Sequence, residues 1–99
     1  MALIMNKKAF IVKAMVEIFP QKDGWVFVRV PKKYTEMTKG IAERGLVAIT
    51  ARVGKTAWDT SLLPMGDGTL FIALNAKVRK AEDIKIEDTI AVHFRLRKR

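Results

Sequence analysis

The chain contains the same hairpin pattern twice. Residues 19–31 recur 44 positions later, without a gap, as residues 63–75. An Asp-Gly pair between two alternating apolar runs predicts a tight hairpin, because Gly accepts the positive φ that such a turn requires and Asp tolerates it. The repeat therefore predicts two hairpins of one kind. Four residues are identical in the two copies: Pro20 and Pro64, Asp23 and Asp67, Gly24 and Gly68, Phe27 and Phe71.

The remaining elements follow the hairpins in the same order in both halves. Alternation of apolar and polar residues predicts strands, and apolar spacing of three and four predicts short helices. Pro31 ends one strand because it has no N–H, and Asn75 is suited to begin a helix. The predicted strands cover residues 8–19, 25–30, 46–53, 55–63, 69–74 and 89–96, and the predicted helices cover residues 32–39 and 76–82.

Two copies are too few for a solenoid, but each half can bury its apolar sheet face against the other half. This predicts an all-β fold with two short helices, namely a pseudo-two-fold, six-stranded barrel built from two β-hairpin-helix-strand halves. The chain has 99 residues, which is the size of one domain. The expected division is a first half at 8–53, a second half at 54–96 and a basic tail at 97–99.

Composition excludes several classes of protein. The chain has no cysteine, which rules out disulfides, thiolate metal sites and a cysteine nucleophile. The first residues lack the pattern of a signal peptide, and no apolar run approaches the roughly 20 residues of a membrane span. We therefore expect a soluble, cytoplasmic protein without membrane association.

The charge of the chain favours an anionic partner. Lys and Arg number 19 against 10 Asp and Glu, which gives a net charge of +9. The first functional hypothesis is a binding module that contacts the phosphates of DNA or RNA, with stacking from Trp25 and Phe27 beside Arg29. The alternative is that the charge keeps a small barrel soluble while the two aromatic residues pack under a helix. The proposed phosphate contacts are Lys32, Lys33, Lys77, Arg79, Lys80, Arg95, Arg97, Lys98 and Arg99.

The second hypothesis is a small-ligand or accessory domain with a pocket on one strand. Trp58, Asp59 and Ser61 would line it, and Arg79 would supply the counter-charge. The alternative is that Asp59 and Ser61 form the solvent face of an edge strand and discourage edge-to-edge association. A protein-interaction module, as monomer or homodimer, is a third possibility.

No catalytic or metal site is evident. His93 is the sole histidine, and alternation places it on one strand face with Arg95, without acidic or cysteine neighbours at ligand spacing. The Asp-Gly turns lack the carboxylate-rich loop of a calcium site. No nucleophile or paired-carboxylate arrangement is present, so we expect neither an enzyme nor a cofactor.

Several spaced elements together resemble a known family. They are the strand from Trp25 to Pro31, Trp58 to Leu62, Asp67-Gly68, and Val78 to Ala81. They are similar to a bacterial and archaeal family called domain of unknown function nineteen-oh-five. The segment after Leu74 also resembles the double-split barrels of the AbrB and MazE regulators.

The resemblance covers roughly residues 8–96. It implies a double-split barrel and no established activity. Two residues depart from the family pattern, since Asp83 and Glu87 stand where glycine is usual. Because glycine enters positive φ easily and Glu does not, these departures predict a turn of another shape.

Overall fold

The computed structural model describes residues 9–20, 24–42 and 45–97. Within these residues the chain is mostly β, with two short helices, as predicted. The strands are β1 (Phe10–Met15), β2 (Glu17–Ile18), β3 (Val26–Val30), β4 (Val47–Val53), β5 (Thr56–Pro64), β6 (Leu70–Ala73) and β7 (Thr89–Leu96). The helices are α1 (Lys32–Thr38), which continues into a 3-10 turn (Lys39–Ile41), and α2 (Ala76–Ala81). None of the described helices is long and apolar enough to cross a membrane.

The strands form one antiparallel sheet that nearly closes into a barrel. Their order is β1-β7-β4-β5-β6-β3-β2, so β1 and β2 lie at its two ends. These two strands are consecutive in the chain and are separated by the fully buried Val16. The N–H of Val16 donates to Asp88 O at 2.7 Å, and its carbonyl accepts from Glu87 N–H at 2.8 Å. The predicted first strand is therefore divided at Val16, where the chain passes from β7 to β3, and the sheet has seven strands rather than six.

Alternating positions of the strands fill the interior, as predicted. Ile49, Leu62 and Val92 have no measurable exposure. Helix α1 joins this core through Tyr34, whose ring lies 5.5 Å from that of Phe94, measured between centroids. Helix α2 joins it through the buried Val78, after Asn75 caps the helix by accepting a 2.9 Å hydrogen bond from Val78 N–H. Ile18, at the end of β2, departs from this alternation, since its side chain is 47% exposed.

The two Asp-Gly hairpins use glycine for different reasons. Gly68 has a φ of +92°, as predicted. Asp67 completes this turn by accepting hydrogen bonds from the N–H and hydroxyl of Thr69, and these bonds lower the pKa of the Asp67 carboxyl. Gly24 does not have a positive φ. Instead, a Cβ at this position would lie 2.5 Å from the carbonyl oxygen of Phe19, so the first hairpin requires glycine for close backbone approach.

The turn before β7 keeps the backbone shape that glycine favours. Asp83 has a φ of 52° and Glu87 a φ of 78°. The prediction of a differently shaped turn is therefore wrong: the non-glycine residues adopt the left-handed conformation. At Glu87 the turn is held by the hydrogen bond from its N–H to Val16 O, which closes the barrel.

Replacing Glu87 with glycine should stabilise the protein. A left-handed conformation costs a non-glycine residue about 1–2 kcal/mol, and the greater entropy of glycine in the unfolded chain offsets part of the gain. We expect E87G to raise the free energy of unfolding by about 0.5–1 kcal/mol, measured by urea denaturation. The control is E36G in α1, which should lose up to about 1 kcal/mol. A loss of stability in E87G would contradict the argument.

Candidate ligand-binding groove

Three neighbouring strands present a grid of polar side chains on the outer face of the sheet. The register of β5, β4 and β7 arranges them in two rows. Ala51 and Phe94, which alternate with them, are buried, so the rows face away from the core. The first row contains Asp59, Thr50 and Arg95, and the second row contains Ala57, Arg52 and His93.

These rows border a groove of about 300 Å³, near the lower limit of small-molecule sites. None of its described lining residues is acidic. The described part of the chain also lacks a cluster of three or more His, Cys, Asp or Glu side chains able to hold a metal ion. The polar and small side chains of the lining belong to Ala9, Thr50, Arg52, Ala57, His93 and Arg95.

The two arginines give the groove its charge. Arg52 and Arg95 are diagonal neighbours on β4 and β7. Residues in this relation lie about 7–8 Å apart. Arg52 is partly fixed, because its Nη1 donates to the carbonyl of Gly54 at 2.7 Å. A guanidinium has five N–H donors, so Arg52 retains further donors. Two guanidinium groups on adjacent strands can donate hydrogen bonds to the same phosphate-like anion from two sides.

Thr50 and His93 add polar atoms beside the arginines. The hydroxyl of Thr50 donates to Asp59 Oδ1 at 2.9 Å, which places a carboxylate at the margin of the groove. Nδ1 of His93 is buried and has no hydrogen-bond partner among the described residues. An unpaired buried nitrogen costs free energy. The arrangement is suited to a phosphate-like anion.

Comparison with known proteins places the chain in a family. The profile described as "Domain of unknown function (DUF1905)" matches residues 13–94. The chain belongs to the DUF1905 family. This match confirms the predicted resemblance to this family. No curated protein matches the chain.

The predicted phosphate contacts on the helices of this DUF1905 chain do not form one cluster. Helix α1 follows β3, and α2 follows β6. Because Val30 lies opposite Leu70 and Phe27 opposite Ala73, the two helices begin at opposite ends of this strand pair. The pair Lys32 and Lys33 is therefore separated from Lys77 and Lys80. Arg79 has a structural contact: its Nε donates to Leu74 O at 3.0 Å.

The predicted phosphate contacts near the end of the chain include two described residues, Arg95 and Arg97, with different surroundings. Arg95 lines the groove, and Lys98 and Arg99 lie outside the described residues. Arg97 is fixed against β4 and β5 rather than free: its Nε donates to Ile49 O at 2.9 Å and its Nη2 to Thr60 O at 3.1 Å. Its backbone N–H also donates to Ala48 O at 2.8 Å. Arg97 therefore holds the end of β7 in place and supports the groove indirectly.

The four residues of the predicted small-ligand pocket do not share one face. Trp58 packs against the core, whereas Asp59 occupies the outer row beside the groove. Ser61 lies two residues further along β5 on this outer face, and Arg79 is engaged on α2. The solvent-face alternative fits Asp59, whose side chain is 65% exposed. β5 lies between β4 and β6 in the strand order, but its pairing with β6 is at Leu63 and Pro64, so the segment that carries Asp59 and Ser61 pairs with β4. Of this set, Asp59 is the residue in contact with a groove side chain.

The aromatic residues of β3 have separate roles. Phe27 is 2% exposed and stacks on Phe19 at a centroid distance of 4.1 Å, so the ring of Phe19 covers it. Trp25 is 55% exposed and meets Phe71 edge-on at 6.4 Å. Arg29 pairs with Glu17 at 2.9 Å. Of the expected stacking surface, Trp25 remains accessible.

Sequence reasoning missed Thr50, Arg52, Ala57 and His93 as one site. The alternation of β4 already placed Thr50 and Arg52 on a common face, and that of β7 paired His93 with Arg95. The missing information was the register between β4 and β7, which sets Arg52 opposite His93. Neighbouring-strand register depends on pairing between distant segments, so local patterns do not contain it.

Proposed function

We propose that this protein is a nucleic-acid-binding module of the cytoplasm that contacts backbone phosphates with the groove on β4, β5 and β7. The observation that supports this proposal is the convergence of Arg52 and Arg95 on one groove, whose described lining contains no acidic residue. The planar guanidinium matches phosphate oxygens with paired N–H donors. Thr50 and His93 supply further polar atoms at the same place.

The overall charge supports the same partner. A net charge of +9 attracts a polyanion over long distances and raises the rate of encounter. The lysines of α1 and α2 are exposed and contribute to this attraction from two separate positions. In this proposal the groove holds a phosphate, and the helix lysines strengthen binding without defining the site.

The size of the groove also favours a second candidate. A cavity of about 300 Å³ accommodates a small phosphorylated molecule as well as one phosphate of a polymer. Both ligands share the phosphate chemistry. Competition distinguishes them: inorganic phosphate or a mononucleotide at low concentration displaces an oligonucleotide only if the groove binds the small ligand tightly by itself.

A second proposal concerns the type of barrel. We infer that β1 and β2, which Val16 divides, correspond together to the first strand of the repeat, and that the seven strands derive from a six-stranded, pseudo-two-fold double-split barrel of the AbrB and MazE kind. Two hairpin patterns spaced 44 residues apart support this inference. So does the antiparallel pairing of β3 with β6, the return strands of the two copies.

Binding to a fluorescent oligonucleotide tests the proposed function. Each phosphate contact contributes about 0.9 to the dependence of log affinity on log salt concentration for duplex DNA, and about 0.7 for single strands. We expect binding at low salt that weakens steeply, and a slope about 1.5–2 smaller in the double variant R52A/R95A. The affinity of this variant should fall at least about tenfold.

The matched control for this test is K32A/K33A, which removes the same charge from α1. Its affinity should remain within about threefold, because exposed charges away from the site act mainly through the general field. Absence of any complex at low salt would refute the proposal. Equal losses in the two double variants would refute the groove as the phosphate site.

A further inference from the structure

An apolar strip runs along β1 beside the groove. Ile11 and Met15 are 53% and 50% exposed, and both project from the outer face that carries the groove. Ile11 lies directly opposite His93 on β7, and Lys13, between the two apolar residues, lies opposite Ala91. The outer face of β1 thus has the order apolar, cationic, apolar.

The strip and the groove are close enough to contact the same ligand. Neighbouring strands lie about 4.8 Å apart, so Ile11 is one strand spacing from His93 and two from Arg52. Ala9, which lines the groove, is two residues from Ile11 in the chain. A ligand with its anionic group between the arginines can therefore rest an adjoining apolar part on Ile11.

Single-stranded nucleic acid has this combination of groups. Its phosphates carry negative charge, and its unstacked bases expose flat apolar faces to side chains. In a duplex the base faces are covered by their neighbours, so only phosphates and base edges are accessible. Lys13 adds a positive charge between the two apolar contacts, where the backbone of a strand crossing β1 would pass.

We infer that the ligand of this face is a single strand of nucleic acid, with a phosphate in the groove and unstacked bases on Ile11 and Met15. The inference rests on the proposed function, since it specifies which nucleic acid the groove accepts. The strip gives no sequence readout, because every base has an apolar face. The protein therefore selects strand state and not base sequence.

Three labelled probes of equal length test the inference: a single strand, the same strand annealed to its complement, and an abasic strand with phosphates alone. The single strand should bind about tenfold more tightly than the other two. In the double variant I11T/M15T both replacements are threonine, which is suited to a strand. Its affinity for the single strand should be about five- to tenfold lower. Its affinity for the duplex and the abasic strand should stay within about twofold of the unchanged chain.

The control variant is I41T. Ile41 is 55% exposed, as much as Ile11, but it lies in the 3-10 turn after α1. Its replacement should leave all three affinities unchanged. Circular dichroism and urea denaturation establish that each variant is folded.

The outcomes separate this inference from the proposed function. If the three probes bind equally well, the groove binds phosphate but the strip does not bind bases, and the inference is wrong. If I11T/M15T weakens all three probes alike, the strip acts through the fold, and the inference is again wrong. If no probe binds, the proposed function fails as well. Anionic phospholipid vesicles are a further probe. If I11T/M15T loses binding to the vesicles but keeps its binding to oligonucleotides, the strip contacts a membrane surface and the inference is wrong.

Discussion

Replacing Ala57 with tryptophan is expected to abolish binding at the groove while leaving the barrel as stable as before. Ala57 is exposed on β5 and lies directly opposite Arg52. An indole at this position would project into the groove of about 300 Å³ beside Arg52. The charges of Arg52 and Arg95 would remain, so the loss would come from blocked access alone.

The expected loss of affinity for an oligonucleotide in A57W is at least about thirtyfold, because the ligand must forgo the paired contacts of both arginines. Stability should change by less than about 0.5 kcal/mol, since Ala57 lies on the surface and Trp suits a strand. The measurement is fluorescence anisotropy, with urea denaturation beside it. The control is A81W, at an exposed position of α2. Binding by A57W as tight as that of A81W would show that the ligand does not enter the groove.

Replacing Gly54 with alanine should cause a large loss of stability. Gly54 forms the turn between β4 and β5 with a φ of +57°, where a non-glycine residue costs about 1–2 kcal/mol. A Cβ there would also collide with the carboxylate of Glu82. That carboxylate accepts hydrogen bonds from Thr56 Oγ1 at 2.6 Å and Lys55 N–H at 3.3 Å, and moving it would break both.

The expected loss in G54A is about 2–4 kcal/mol, the sum of backbone strain and the lost hydrogen bonds. G66A is the matched control: its φ is +101° and no atom lies within 4 Å of an added Cβ, so only strain applies. In an E82A background, G54A should cost about 1–2 kcal/mol. An equal loss in both backgrounds would mean that the contact with Glu82 has no energetic role. The measurement is the free energy of unfolding in a double-mutant cycle.

Local sequence determined much of the fold. Alternation located the strands, Pro31 marked the end of one strand, Asn75 marked a helix start, and Asp67-Gly68 formed the expected turn. These features depend on a few adjacent residues. The division of the first strand at Val16 depends instead on hydrogen bonds to residues 87 and 88, and nothing near Val16 indicates where the chain changes partner.

The candidate site was less accessible to prediction because charge alone does not tell which arginines are free. Arg95 and Arg97 lie two residues apart and look alike in sequence. Arg95 lines the groove, whereas Arg97 donates to two backbone carbonyls of other strands. Lys32 and Lys77 follow equivalent hairpin strands, yet antiparallel pairing of β3 with β6 separates them. In each case the tertiary contacts of the side chain decide its role, and these contacts cannot be read from the number of basic residues.

The pairing of β1 with β7 joins segments from nearly opposite ends of the chain, Phe10 with Phe94 and Met15 with Thr89. Contacts of such large sequence separation bear an entropic cost of loop closure and are typical of slowly folding proteins. The apolar strip belongs to β1, and the arginines of the groove belong to β4 and β7. The strip and the groove therefore come together only when β1 pairs with β7. A ligand that contacts both strands would also hold them together, so its binding would stabilise the closed barrel.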